Sequence, residues 1–167
     1  MAIVQDNFST YPARAYEGQP ASQQRPDIYS GVATDTIYFG RAVVRADGRQ
    51  KVAPFAATST AKQVVGISLR QGNAMSMTYP ITGPVAGGIV AGYYKDNEVS
   101  VMRSGAVWAL CVDGAKAGDT VSVINEGADT GKLTHGKGIE LNLAFWREDV
   151  KAGSIGIVEL NKNMTTA

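Results

Sequence analysis

Hydrophobic positions between residues 36 and 160 form short segments rich in Val and Ile, which are separated by Gly residues and Asp-Gly pairs. Short apolar runs bounded by turn residues are typical of the strands of a compact all-β protein. No segment sustains an apolar repeat of 3.6 residues over three turns, so the pattern predicts no long helix. The predicted strands span residues 37–44, 50–53, 63–69, 98–103, 106–112, 120–124, 132–134, 140–146 and 154–160.

Two central segments indicate which strand faces are buried. Residues 98–103 alternate with a period of two, which places Val99 and Val101 on one face of a strand. Residues 106–112 are apolar at almost every position, as expected for a strand that is covered on both sides. We therefore expect the centre of the core in this second segment.

A late aromatic segment continues the same pattern. In residues 140–146 the alternation predicts that Leu141, Leu143 and Phe145 share one face. Eight or nine short strands at this spacing favour architectures that limit exposed strand edges. The predicted fold class is mainly β, with a small β-barrel or sandwich as its body.

The N-terminal segment differs from this body and predicts an extended, largely irregular arm over residues 1–35. It holds three of the chain's six prolines, and each proline biases the preceding residue towards extended backbone geometry. The β body is predicted over residues 36–160, and residues 161–167 are predicted to be a C-terminal tail. We expect removal of residues 1–30 to leave the body folded and to weaken partner binding.

Aromatic side chains recur along the arm, and such side chains can bury a large area on a partner at low entropy cost. Met and Tyr side chains also occur in the Gly-rich segment 71–92, where packing on a partner and packing inside a strand fit the sequence equally well. The predicted partner interface consists of Phe8, Tyr11, Pro12, Arg14, Tyr16, Arg25, Tyr29, Met75, Met77 and Tyr79.

Charge and cysteine content narrow the classes of partner. The chain has 16 Lys and Arg residues against 15 Asp and Glu residues, a net charge of +1, so it has no basic footprint for nucleic acid. Cys111 is the only cysteine, which excludes an intrachain disulfide. The N-terminus lacks the features of a secretory signal, and the weakly polar segment 83–94 is interrupted by glycines. We expect no nucleic-acid partner and no membrane partner.

Candidate catalytic and metal-binding residues are few. His135 is the only histidine and lies in a Gly-rich loop, where spacing nominates neither a nucleophile nor an orienting partner. Cys111 lies inside an apolar strand, where a thiol acts as a small hydrophobic side chain. Four carboxylates between residues 113 and 129 do not match the spacing of a calcium loop. We expect no enzymatic activity, no cofactor and no metal site.

Five segments together carry a resemblance to a known family. They are residues 11–18 (YPARAYEG), 107–123 (VWALCVDGAKAGDTVSV), 130–134 (TGKLT), 145–146 (FW) and 153–160 (GSIGIVEL). In this combination they resemble the capsid cement, or decoration, proteins of tailed bacteriophages, in which an arm precedes a β body that ends on an aromatic strand and a Gly-rich apolar strand.

This resemblance implies a virion structural protein that binds the outside of an assembled phage head. It would stabilise contacts between subunits of the major capsid protein, and it would associate with other copies of itself as trimers or dimers. The resemblance also implies a place on the capsid surface after synthesis in the host cytoplasm. Because many copies repeat the same weak contacts, avidity would stabilise the shell.

Two alternative functions also stay open. One is a different virion β module of the tail, fibre or baseplate, which would be present in few copies per particle. The other is a soluble glycan-binding β-barrel, because Trp108 and Trp146 are aromatic platforms of the kind that stack on sugars. Both tryptophans lie in predicted strands, which favours core packing over ligand contact.

Overall fold

The computed structural model of the chain describes residues 15–22, 26–71 and 92–161. These residues form a mainly β fold, which confirms the predicted fold class, with short 3-10 helices at Ala61–Gln63 and Gly127–Asp129. The strands are β1 (Asp27–Ala33), β2 (Ile37–Tyr38), β3 (Ala42–Arg45), β4 (Lys51–Pro54), β5 (Val64–Ser68), β6 (Gly92–Tyr93), β7 (Glu98–Cys111), β8 (Thr120–Val123), β9 (Leu133–Thr134), β10 (Ile139–Trp146) and β11 (Ser154–Leu160).

The long strand β7 belongs to two closed rings of strands. Its first half pairs with β1 and with β5, so that β1, β4, β3, β5 and β7 close a ring, here called the first barrel. Its second half pairs with β11 and β9, so that β7, β11, β10, β8 and β9 close the second barrel. Closure satisfies strand edges that an open sheet would leave unpaired. Strands β2 and β6 form a separate two-stranded ribbon.

Two clusters of buried side chains fill this architecture. The larger cluster contains the interior of the second barrel, including Trp146 and Leu141, and it extends to Ile67 of β5 in the first barrel. The smaller cluster lies in the first barrel, where the rings of Phe39 and Tyr93 meet edge to face with centroids 5.2 Å apart. The larger cluster therefore also packs the first barrel against the second.

A change of alternation inside β7 lets one strand serve both barrels. Gly105 has a φ of 126°, a left-handed value that glycine adopts without steric cost. The pairing of β1 with β7 also shifts by one residue, since Ile28 lies opposite Met102 and Asp27 opposite Ser104. Met102 and Val107 consequently face the same cluster although they are five positions apart, a spacing that regular alternation would place on opposite faces.

Several segment boundaries in the structure differ from the predicted ones. Residues 98–103 and 106–112, predicted as two strands, are the single strand β7, whereas residues 37–44 contain the two strands β2 and β3. Strand β1 lies within the segment 1–35 that we predicted to be an arm, and it pairs with β7 from Asp27 to Val32. This pairing argues against the expectation that residues 1–30 can be removed without unfolding the body. In the described part of the chain no helix is long and apolar enough to cross a membrane.

The hydroxyl group of Tyr93 connects the ribbon to the first barrel. It donates a hydrogen bond to the Leu69 carbonyl at 2.6 Å and accepts one from the Ser100 N–H at 3.4 Å. Replacement of Tyr93 by Phe should lower the free energy of unfolding by about 1–2 kcal/mol, because the buried Leu69 carbonyl loses its partner while the ring packing stays. Urea unfolding at neutral pH measures this difference.

The same hydroxyl predicts a dependence on pH. Burial raises the pKa of Tyr93 to about 12, so the folded state favours the neutral phenol. The unfolded chain releases that proton near pH 10, and stability from this group is therefore full below pH 10 and falls as the pH rises towards 12. The Tyr93→Phe variant should lose less stability than the parent between pH 9 and pH 12. Identical losses in both proteins would contradict this assignment.

Candidate interaction surface

The described part of the predicted arm is bound to the body along β7. Residues 15–22, here called the arm anchor, run antiparallel to β7 on the edge opposite β11. The Gly18 N–H donates to the Trp108 carbonyl at 2.8 Å, and the Trp108 N–H donates to the Gln19 carbonyl at 2.8 Å. The Ala21 N–H donates to the Ala106 carbonyl, also at 2.8 Å. The anchor therefore acts as a short added strand at the junction of the two barrels.

Gly18 lets the anchor pack closely against the backbone at Gly40, Ser68 and Arg70. It has a φ of 78°, and its carbonyl accepts a hydrogen bond from the Arg70 N–H at 2.7 Å. A Cβ atom at this position would lie 2.8 Å from the Arg70 nitrogen and 3.0 Å from both the Gly40 nitrogen and the Ser68 oxygen. Both the backbone conformation and the packing thus require glycine.

Arg70 fixes the aromatic side chain of the anchor. Its guanidinium carbon lies 5.1 Å from the centroid of the Tyr16 ring and 5.0 Å from that of the Phe39 ring. Its Nε also donates to the Glu17 carbonyl at 3.2 Å. Tyr16 is 56% exposed despite these contacts. The result is a held aromatic ring that presents its free face to solvent, which suits contact with a partner.

Strand β1 presents a second apolar surface. Its alternating burial turns Ile28 (46% exposed) and Val32 (38% exposed) outwards, and these two side chains with Ser30 define the β1 outer strip. Tyr29 points the other way and packs against the smaller core cluster. We infer that Tyr29 supports the strand and that the outer strip is the part available to a partner.

A salt bridge holds the start of β1 in place. Nη2 of Arg103 lies 2.7 Å and 3.0 Å from the two carboxylate oxygens of Asp27. The Arg103 guanidinium also lies 5.8 Å from the centroid of the Tyr29 ring. These contacts are partly exposed, so they fix the geometry of the strand more than they add to stability.

The structure describes two of the ten residues of the predicted interface, Tyr16 and Tyr29. Tyr16 is exposed on the anchor, and Tyr29 is half-buried in β1. The other eight lie outside the described residues: Phe8, Tyr11, Pro12, Arg14, Arg25, Met75, Met77 and Tyr79. Sequence reasoning missed Ile28 and Val32, although the alternation of residues 27–33 could have indicated that they share a face.

A group of charged residues surrounds an open cleft at one end of the second barrel. Lys116 pairs with Asp149 at 2.9 Å, and Lys137 pairs with Asp113 at 3.3 Å. A hydrogen bond from the Ala117 N–H, together with the Lys116 ammonium, lowers the pKa of Asp149. These acids and bases neutralise one another on an exposed surface, where such pairs contribute little to stability.

His135 and Cys111 have ordinary structural environments. Nδ1 of His135 lies 3.2 Å from the Thr120 carbonyl, and Nε2 lies 3.6 Å from an Asp119 carboxylate oxygen. Cys111 is fully buried in β7, and burial raises the pKa of its thiol, which disfavours the reactive thiolate. Among residues 15–22, 26–71 and 92–161, no three His, Cys, Asp or Glu side chains are grouped so that they could hold a metal ion.

Comparisons with known proteins add family information to this geometry. A family model described as structural cement protein (E217 gp24/Pam3 gp6) matches residues 4–161. A chain from "The capsid of Myoviridae Phage XM1" is similar to 97% of this chain over 99% of its own length, with a TM-score of 0.67 and 18% identity. A chain from "The crystal structure of head fiber gp8.5 N base in bacteriophage phi29" covers 83% of this chain and 96% of its own, with a TM-score of 0.43 and 13% identity. No curated protein sequence matches the chain.

Proposed function

This chain belongs to the phage structural cement protein family, and from that premise we propose that it binds the outer face of an assembled phage head and holds neighbouring major capsid protein subunits together. Family membership confirms the resemblance seen in the sequence. The family is structural and is not a class of enzymes. The protein is accordingly a structural component of the phage virion with a capsid-stabilising role.

The observation that carries the proposal is the arm anchor. Three backbone hydrogen bonds of 2.8 Å join it to residues Ala106 and Trp108 of β7, so the chain that precedes Ala15 starts from a fixed point on the body. A clamp needs such a fixed point, because a tether that is free at both ends transmits no force between neighbouring subunits. Pre-positioning the anchor also lowers the entropy lost when the arm binds.

We propose that the capsid contacts extend from the arm across the anchor to the β1 outer strip. Tyr16 and the side chains of Ile28 and Val32 supply exposed apolar surface on the described residues. Tyr29 packs behind this surface and supports β1. The remaining contacts are assigned to the eight predicted interface residues outside the described part of the chain. Aromatic side chains in this set are the expected hot spots, because rigid rings bury much area per torsion fixed.

The partners that we propose are the major capsid protein and other copies of this chain, arranged as a dimer or trimer. The near balance of 16 basic and 15 acidic residues supports a protein partner over nucleic acid. We propose no catalytic role. The glycan-binding alternative loses one of its two stacking candidates, because Trp146 is fully buried in the second barrel.

Replacement of Gly18 by Ala tests the role of the anchor. The new Cβ would clash with the Arg70 backbone, so the anchor should leave β7 while both barrels stay closed. We expect binding to purified capsids that lack this protein to weaken by about tenfold or more, which corresponds to about 1.4 kcal/mol. Co-sedimentation over a range of protein concentrations measures this loss.

Gly153→Ala is the matched control. Gly153 has a φ of 70°, close to that of Gly18, but a Cβ atom there would meet nothing within 4 Å. Both variants carry the same backbone penalty of about 1–2 kcal/mol, whereas only Gly18→Ala displaces the anchor. Equal capsid binding by the two variants would argue against the anchor, and failure of the unaltered protein to bind capsids would argue against the proposed function itself.

A further inference from the structure

An open cavity lies at the seam between the two barrels and has a volume of about 440 Å³. Its lining comes partly from the first barrel and its ribbon, with Tyr38, Arg41 and Phe55, and partly from the segment that leads into β9, with Thr130 and Lys132. Phe55 and its neighbour Pro54 contribute apolar groups to the lining. This seam cavity is large enough to admit one or two side chains of another protein.

The guanidinium of Arg41 has no polar partner in the seam cavity. Its Nε is buried without a hydrogen bond, and its side chain makes no salt bridge with any described residue. The guanidinium carbon lies 5.7 Å from the centroid of the Tyr38 ring, which is itself 48% exposed. Burial lowers the pKa of Arg41, an effect that the Glu17 and Asp129 carboxylates oppose. A half-buried cation of this kind costs stability until an anion satisfies it.

The backbone around Arg41 is fixed, so the guanidinium has a defined place. The Arg41 N–H donates to Oγ of Ser68 at 3.1 Å, and the Arg41 carbonyl accepts from the Ser68 N–H at 2.9 Å. Nearby acidic groups leave the guanidinium available. Asp129 is already paired with Lys132, and Glu17 is near enough to act electrostatically but makes no salt bridge to Arg41.

We infer that the seam cavity is a binding site for an acidic side chain, Asp or Glu, of a neighbouring major capsid protein subunit. The planar guanidinium can take a carboxylate through two parallel hydrogen bonds, and the apolar groups of Pro54 and Phe55 in the lining suit the methylene stem of such a side chain. This inference rests on the proposed function, and it specifies the chemical group of the capsid protein that is bound, a carboxylate. It also gives a reason for an unpaired arginine between two otherwise well-packed barrels.

The test compares four proteins for binding to capsids that lack this protein and for melting temperature: the unaltered chain, Arg41→Met, Arg41→Lys and Arg49→Met. Met keeps the apolar stem of Arg41 without its charge, and Lys keeps the charge without the planar fork. Arg49 is exposed and lies outside the cavity, so Arg49→Met controls for loss of one positive charge.

We expect Arg41→Met to bind capsids at least tenfold more weakly while its melting temperature stays equal or rises, because an unsatisfied buried cation has been removed. Arg41→Lys should bind with an intermediate affinity, and Arg49→Met should bind like the unaltered chain. Arg41→Met binding as tightly as the unaltered chain would overturn the inference alone. A fall in both binding and melting temperature would assign the guanidinium to folding and would also overturn it, whereas absence of binding by the unaltered chain would overturn the proposed function first.

Discussion

Removal of residues 1–30 is expected to unfold the first barrel, whereas removal of residues 1–14 is expected to leave the whole body folded. The longer deletion removes the anchor and the first four residues of β1, from Asp27 to Ser30. Both the Asp27 salt bridge to Arg103 and the packing of Tyr29 on the smaller core cluster are then lost. The shorter deletion ends before Ala15, so it keeps every one of these contacts.

The loss in the longer deletion is large because β1 closes a ring. Without its N-terminal half, the segment of β7 from Ser100 to Ser104 has no partner on one edge, and the apolar side chains behind it become exposed to water. The cost is comparable with the total stability of a small domain, about 5–15 kcal/mol, so the first barrel should not persist. The second barrel keeps all of its strand pairings in this deletion.

Amide exchange followed by NMR separates the two deletions. In the chain that lacks residues 1–30, protection should disappear from β3, β4 and β5, and in the chain that lacks residues 1–14 it should match the parent. Persistent protection of these strands in the longer deletion would show that β1 is dispensable. The shorter deletion is also the proper test of the arm in capsid binding, because any loss of affinity then has no folding component.

Replacement of Gly66 by Ala is expected to be strongly destabilising. Gly66 lies in β5 against β7, and a Cβ atom there would lie 2.0 Å from the Met102 carbonyl oxygen. That obstacle is backbone in the strand shared by both barrels, so no change of rotamer can relieve it. We expect a loss of more than about 3 kcal/mol, at or beyond the upper end for overpacked cores, or failure to fold.

Gly156→Ala provides the matched control for this substitution. A Cβ atom at Gly156 would lie 2.2 Å from a Cγ atom of Val150, which is a side chain and can be removed. The Val150→Ala change should therefore rescue much of the loss caused by Gly156→Ala. For Gly66→Ala the neighbouring side chain is that of Val101, and Val101→Ala should give no rescue, since the carbonyl stays in place. Urea unfolding of all the variants measures these differences, and rescue by Val101→Ala would contradict the backbone clash.

The two-barrel architecture bears on how a cement protein works. The anchor lies on β7, and the seam cavity lies where the two barrels meet. A pull on the arm is thus transmitted to the strand with the most partners, because β7 pairs with β1, β5, β9 and β11. Under the proposed function, many copies of this element, each binding weakly, would stabilise a shell through avidity.

Local pattern predicted much of this protein because strand and turn preferences are set by neighbouring residues. Apart from β6, which no predicted segment covers, the β strands from residue 51 onward lie close to the predicted segments, and Cys111 is buried in an apolar strand as expected. The prediction that Leu141, Leu143 and Phe145 share one face was wrong for Phe145, since Leu141 and Trp146 are buried whereas Phe145 is half-buried. The side chain of Leu143 lies outside those that the structure describes. The pairing of β10 with β8 shifts by three residues between Glu140, which lies opposite Ser122, and Phe145, which lies opposite Thr120, and this odd shift reverses the alternation there. Such a shift depends on the partner strand and leaves no mark in the hydrophobic pattern.

Local sequence pattern was enough to predict most strand-forming segments and to identify the family to which the chain belongs. Three features follow only from the closed fold: β7 serves two barrels, β1 closes one of them from within the predicted arm, and Arg41 lacks a polar partner at the seam. The difference lies in the distance along the chain over which each signal acts. Alternation and turn residues act over a few positions, whereas the pairing of Asp27 with Ser104 joins parts of the chain that only the closed barrel brings together.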